Sequence, residues 1–464
     1  MNNTQTKSVR FRSDLYDLVL IVLVVLTISA ITIAPAPYLH DFAEWVYQGQ
    51  IVKQAIIEPA SVDQFTMANY PVPNSLVTMI LAGLSFILAP LWAGKVFLVL
   101  MLLAWFAVIR LFCRRYVEPQ WRGAASLVLF VSTALATFFW YGFVSYYIAL
   151  LLLTWFFAIY RADTPAWVIA LFGLVIFFSH AILFLTFGLF LGVSLLVRWN
   201  KAIVLGLLPS AALSLWFLVG RHLAQVIPQQ IDAVWNSLKE ALIYKMGYPA
   251  MLGPFKNFLW PDGTSLLENH AWVYWPGFIV NFAVVAVLGI LIPAALWNYY
   301  KNKPPEKGQE ADLRKTWAIT MLLITLFYLL APYHFFGLVN AGGRVLPPLL
   351  LLAFMLAGRQ ATPFVRIVLW PVIVFAFITS GSYLYLMLQS RDPGFSPLAT
   401  TAINVSPSDS VLDFNKQLYA STRYTYFNYR IFAFSRRFDQ IESGQYQGLT
   451  FRHAMLIKYD PESK

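Results

Sequence analysis

The sequence is cut into apolar runs, and the lengths of those runs decide what the chain can become. The first spans 18–36. Others follow at roughly 75–90, 95–112, 123–139, 143–160, 165–179, 181–197 and 203–220, then at about 276–298, 317–333, 343–358 and 367–388. A helix rises about 1.5 Å per residue, so about 20 apolar residues cross a hydrocarbon layer of about 30 Å. The composition agrees: 59% of the 464 residues are hydrophobic and 12% are charged, against about 25% charged in a soluble domain. The pattern predicts an all-α polytopic transmembrane helical bundle of about 11 to 13 crossings. Phe, Tyr and Trp are abundant, at 38, 24 and 16 residues, as aromatic belts at the two membrane surfaces require.

Polar segments divide the chain further. Residues 1–17 read as a cytoplasmic N-terminus, 18–388 as the membrane domain, and 389–464, of ordinary soluble composition, as a small extracytoplasmic domain. The first run is long for a secretory signal, and Pro35 and Pro37 crowd its only small-residue cleavage site. It is read as a retained transmembrane helix. Basic clusters at Arg198 to Lys201, Lys301 to Lys315 and Arg359 to Arg366 belong on the cytoplasmic side, which leaves loops 37–74 and 221–275 external. Arg110, Arg114, Arg115 and Arg122 belong on the cytoplasmic side too. Residues 75–112 then look like two runs that must cross once, with one re-entrant or tilted, unless that cluster is external against the rule or 165–197 is a single broken helix. A multi-pass protein of a bacterial cytoplasmic (inner) membrane is the expected setting.

The net charge of +11 falls in short clusters between apolar runs, not in a stripe. It reads as topology and contact with anionic membrane lipids, and nucleic acid is not an expected partner. The single Cys113 excludes an intramolecular disulfide and a cysteine-based metal site. No phosphate-binding glycine loop, dinucleotide fingerprint, nucleophile elbow or HExxH is present.

Three features stand out against this apolar ground. Tyr38 to Gln50 leaves the first run and carries His40, Asp41 and Glu44 among aromatic residues. On a helix Asp41 and Glu44, spaced i, i+3, share a face. A carboxylate at a membrane surface can take a proton from a hydroxyl or hold a metal on a diphosphate; the bland reading is an idle, solvated acid. Residues 46–57 form an amphipathic segment suited to the membrane surface. Ser179-His180 interrupts an apolar stretch, where a polar residue faces a cavity or a neighbouring helix. Tyr333 to Pro348 holds His334 and then Gly342-Gly343-Arg344. A glycine pair and a fixed guanidinium opening a helix suit a phosphate, and an external arginine runs against the charge bias. In loop 221–275, His222, Asp232, Glu240, Lys245, Asp262, Glu268 and His270 are available, and 231–246 reads as an amphipathic cap.

These residues resemble the GT-C superfamily of polytopic glycosyltransferases, bacterial type, with no branch assigned. Asp41 and Glu44 match its acidic position in the first external loop. Asn69-Tyr70-Pro71-Val72-Pro73-Asn74, Ala93-Gly94-Lys95, Tyr141 to Tyr146, Phe178-Ser179-His180 and the late Gly-Arg-Val-Leu-Pro helix are similar to bacterial members, over residues 15–390. The resemblance implies sugar transfer from a polyprenyl-phosphate or polyprenyl-diphosphate donor to a lipid or glycan acceptor on the extracytoplasmic face. Asp41 would be the base and Glu44 its assistant, and Arg344 would bind the lipid phosphate. His180 and His334 would line the cavity, with His40, Tyr70 and His270 completing the substrate-binding set. The metal-dependent branch has a second acidic pair on a later loop, which this sequence lacks, so no metal or other cofactor is expected. Two other classes fit the same residues: a transporter or flippase of lipid-linked sugar, and a non-enzymatic assembly subunit of an envelope polysaccharide system.

Overall fold

The computed structural model describes residues 3–33, 39, 42–58, 65–67, 70–140, 142–220, 308–331, 334–335, 338–339, 341–357 and 456–458, with isolated residues within 293–301 and 369–377. Helices dominate: α1 (Asn3–Ile33), α2 (Phe42–Ile57), α3 (Ser75–Ser85), α4 (Pro90–Tyr116), α5 (Arg122–Thr133), α6 (Thr137–Trp140), α7 (Val144–Ile159), α8 (Ala166–Ser179), α9 (Ala181–Val197), α10 (Lys201–Gly220), α11 (Gln309–Leu330), α12 (Ala341–Arg344) and α13 (Leu346–Ala357). Strands are two or three residues long: β1 (Phe65–Met67), β2 (His334–Phe335), β3 (Leu338–Val339) and β4 (Leu456–Lys458). Within α1, α4, α10 and α11 lie stretches long and apolar enough to cross a membrane. Apolar side chains cover their outer faces: Leu18, Leu100, Leu215 and Leu322 are all exposed. Such a surface is at home in hydrocarbon rather than water.

Several hydroxyls inside the helices are satisfied locally. Thr27, Thr133, Thr154 and Thr186 each donate to the carbonyl four residues earlier, at 2.6–2.9 Å. A hydroxyl is thereby carried through an apolar layer without an open donor.

Side-chain bridges between helix ends fix the direction of each helix. Asp17, at the start of the apolar stretch Leu15–Ile33 of α1, pairs with Arg110 near the end of α4, at 2.8 and 3.0 Å through two parallel contacts. At the other end, Lys95 Nζ in the second turn of α4 donates to the Thr32 carbonyl of α1 at 3.1 Å. The two helices are therefore antiparallel. Arg115 and Tyr116 donate to the carbonyls of Ala158 and Phe157 at 3.0 and 2.7 Å, so α7 ends where α4 ends. Tyr160 meets Ser194 at 3.0 Å and Asn200 donates to Ala162 at 2.9 Å, which returns α9 to that same end. Arg198 and Asp312, at 3.8 Å, bring the start of α11 there. Arg110, Arg114, Arg115, Arg122, Arg198 and Lys315 all belong to this end, the basic end of the bundle.

This geometry decides between the readings of 75–112 and 165–197. The run at 75–90 is an eleven-residue helix, α3, about 16 Å long. It stops at Ser85 in a turn before Pro90, so only α4 covers the distance between the two ends. Residues 165–197 are two antiparallel legs, α8 and α9, broken at His180. The amphipathic segment at 46–57 is helical. It belongs to a helix starting at Phe42 whose Phe42, Val46, Tyr47, Ile51 and Val52 are buried. Phe42 stacks on Phe97 of α4 with ring centroids 6.0 Å apart. The first helix also reaches back through the polar segment to Asn3.

Between α7 and α9, Phe156, Phe187 and Phe190 interlock, with centroids 4.8 and 6.3 Å from Phe156. α8 and α10 approach closely at Gly206, where an added Cβ would lie 2.6 Å from Ile169 Cβ and 2.8 Å from the Ala166 carbonyl oxygen. Gly206 and Ser210 form the small-residue pair, four apart, that membrane helices use for close contact. β1 pairs antiparallel with β4, Thr66 opposite Ile457, so part of the first loop meets the C-terminal segment. The rest of 389–464, loop 221–275 with its cap, and the runs at 276–298 and 367–388 lie outside the described residues, apart from isolated positions.

Candidate functional site

The end of the bundle away from the basic clusters holds the turn at His180, the first turn of α7 and the α12–α13 junction. His180 has extended backbone, φ −164° and ψ 125°, and it both ends α8 and opens α9. Its side chain is 1% exposed. Arg344, the last residue of α12, reaches it: Arg344 Nη1 lies 2.8 Å from His180 Nε2. The guanidinium also lies over the Phe143 ring, 5.0 Å from the centroid, a contact of about 0.5–2 kcal/mol. Unlike His180, Arg344 is only partly buried.

The first turn of α7 holds both partners. Tyr146 Oη donates to the Arg344 carbonyl at 2.8 Å. Its ring stands edge-on to the imidazole, with centroids 5.3 Å apart at 86°. Just before, Gly142 has φ 71°, a left-handed conformation open to glycine. This turn delivers the chain from α6 into Phe143 and Tyr146. The result is a partly buried cation at the end of an apolar bundle, oriented by one backbone bond and one aromatic face. A guanidinium so placed matches the fork of a phosphate or carboxylate.

As expected, Gly342 and Gly343 lie where a helical run opens: α12 leads directly into α13. The first turn of α13 itself carries Pro347 and Pro348, which have no N–H to donate.

Of the residues singled out in the sequence, His180 and Arg344 are thus brought together. Tyr70 is half-buried, with its ring 6.1 Å from that of Phe217 of α10. His334 has its backbone on β2, opposite Val339, and its side chain is outside the described part. Glu44 lies in the first turn of α2, with its side chain likewise outside. His40, Asp41 and His270 lie outside the described residues. Among the described residues, no group of three His, Cys, Asp or Glu converges as metal ligands do.

Sequence reasoning passed over Phe143, Tyr146 and Lys95 as site residues. Lys95 is 5% exposed. Its ammonium lies 4.8 Å from the Trp92 ring centroid and bonds the Thr32 carbonyl. It thereby answers the partial negative charge at the end of α1. Its one signal in the sequence was a lone charge opening an apolar run. No protein family matches the chain, and no curated protein and no solved structure is similar to it.

Proposed function

We propose that this chain is a multi-pass membrane glycosyltransferase that moves a sugar from a polyprenyl-phosphate or polyprenyl-diphosphate donor to an acceptor hydroxyl. The observation that carries this reading is the Arg344–His180 contact at 2.8 Å, at the end of the bundle opposite the basic clusters. By the positive-inside rule that end is extracytoplasmic, and the membrane is the bacterial cytoplasmic (inner) membrane. One crossing over 75–112, together with the apolar runs at 276–298 and 367–388, gives eleven crossings.

In this reading the prenyl tail stays in hydrocarbon while its phosphate reaches Arg344. Asp41 takes the acceptor's hydroxyl proton as the oxygen attacks the anomeric carbon. The bond from that carbon to the phosphate oxygen breaks, and Arg344 stabilises the charge left on the phosphate. Glu44 orients the acceptor. The proton on Asp41 then passes to water. Arg344→Met removes a charged hydrogen-bond donor, an interaction of about 1.5–3 kcal/mol. The donor KM should rise by about tenfold or more, with the acceptor KM unchanged. An unchanged donor KM would put the phosphate elsewhere.

A further inference from the structure

Two turns at the basic end are fastened together by one side-chain amide. Asn200 Oδ1 accepts from the Ala202 N–H at 2.9 Å and caps α10. Its Nδ2 donates to the Ala162 carbonyl at 2.9 Å, in the turn from α7 to α8. That turn is closed by Thr164, whose Oγ1 accepts from the Arg161 N–H at 2.7 Å. The joined turns carry three exposed cations, Arg161, Arg198 and Lys201, each within two residues of the Asn200–Ala162 bond. Two tryptophans accompany them: Trp199 is 69% exposed, and Trp167, in the first turn of α8, is 68% exposed. Next along the three helices, Leu171 of α8, Leu196 of α9 and Leu205 of α10 are exposed.

We infer that these joined turns are a binding site for an anionic phospholipid of the phosphatidylglycerol type, in the cytoplasmic leaflet. Cations, indoles and leucines follow one another in the order in which a lipid presents its phosphate, its interfacial region and its acyl chains. A face made for water has no use for two indoles two-thirds exposed, whereas the headgroup layer accepts an indole and a cation side by side. Arg198 meets Asp312 of α11 at 3.8 Å with half of its side chain exposed, a long surface pair that contributes little. Its planar fork can take two oxygens of a phosphodiester. Asp163 in the first turn and Asp312 oppose the three cations, and Arg314 and Lys315 on the next turn of α11 restore the positive excess. The site depends on the orientation of the bundle alone, whatever reaction the chain carries out.

The test is native mass spectrometry of the full chain in a neutral detergent, with dioleoyl phosphatidylglycerol and dioleoyl phosphatidylcholine as competing probes. The two lipids share their acyl chains and differ in net charge. A cation near an anionic headgroup contributes about 1 kcal/mol, which is about fivefold in affinity. The unaltered chain should prefer phosphatidylglycerol by about tenfold or more. Lys201→Gln should lower that preference by about fivefold, and Arg161→Gln, Arg198→Gln and Lys201→Gln together should remove most of it. Arg114→Gln deletes an exposed cation at the same end but outside the two turns, and should leave the preference unchanged. Equal uptake of the two lipids by the unaltered chain would overturn the site. Equal losses in Arg114→Gln and Lys201→Gln would also overturn it, since the preference would then belong to the charge of the whole end. Displacement of phosphatidylglycerol by inorganic phosphate would overturn the lipid as ligand. The unaltered chain and the single variants decide the matter whether or not the triple variant folds.

Discussion

Asp17 and Arg110 face each other at 2.8 Å with side chains 27% and 30% exposed. They tie the start of the apolar stretch of α1 to the end of α4 at the basic end of the bundle. A two-point carboxylate–guanidinium pair this sheltered is worth more than an open surface pair. Asp17→Asn should lower stability by about 1–3 kcal/mol, and Arg110→Met by a similar amount. The double variant should lose less than the sum. Thermal unfolding of the four proteins in one detergent checks this.

The same antiparallel arrangement sets where the connecting turns surface. Cys113 is the only cysteine in the chain and is buried, so Cys113→Ser gives a clean background. Ile87 between α3 and α4 is 84% exposed, and Gln120 lies in the exposed turn after α4. Cysteines placed at the two positions should react with an impermeant maleimide from opposite sides of a sealed vesicle. Labelling from the same side would break the single crossing over 75–112.

Helix proximity predicts a contrast between two glycines. Gly206→Leu forces atoms into the backbone of α8 and the Cβ of Ile169, at 2.8 and 2.6 Å, and should destabilise by about 1–3 kcal/mol or more. Nothing lies within 4 Å of a Cβ built at Gly188. There Gly188→Ala should be neutral or gain up to about 1 kcal/mol from helix propensity. Melting temperatures of the two variants should move apart.

Tyr146 is a positioning residue. Tyr146→Phe keeps the ring beside His180 and removes the bond to the Arg344 carbonyl, about 0.5–1.5 kcal/mol. Donor KM should rise roughly two- to tenfold while kcat and the melting temperature stay close to wild type. A change in kcat alone would place Tyr146 in a different role.

Helix breaks were legible where chemistry interrupts an apolar run. Ser179-His180 divides 165–179 from 181–197, and the structure divides α8 from α9 at that point. Lengths were less legible, because apolar content does not report where packing ends a helix. Residues 75–90 carry no charged side chain, yet α3 stops at Ser85. His180 and Arg344 were each conspicuous as polar groups in an apolar setting. Their contact was not, since 164 residues separate them and spacing reports only local neighbours. Tyr146 is one tyrosine among 24, and nothing in its surroundings marks its hydroxyl as the one that holds Arg344.

Sugar transfer by the purified chain from a radiolabelled polyprenyl-phosphate sugar, wild type against Asp41→Asn, tests the central claim most directly. Asparagine keeps the size and an acceptor oxygen but takes no proton. A general base supplies about 10²- to 10⁴-fold. The variant should therefore fall by about two orders of magnitude or more while still binding the donor. Transfer by the variant at the wild-type rate would contradict Asp41 as the base. Movement of lipid-linked sugar across vesicles by a wild-type chain that transfers nothing would contradict the enzyme itself.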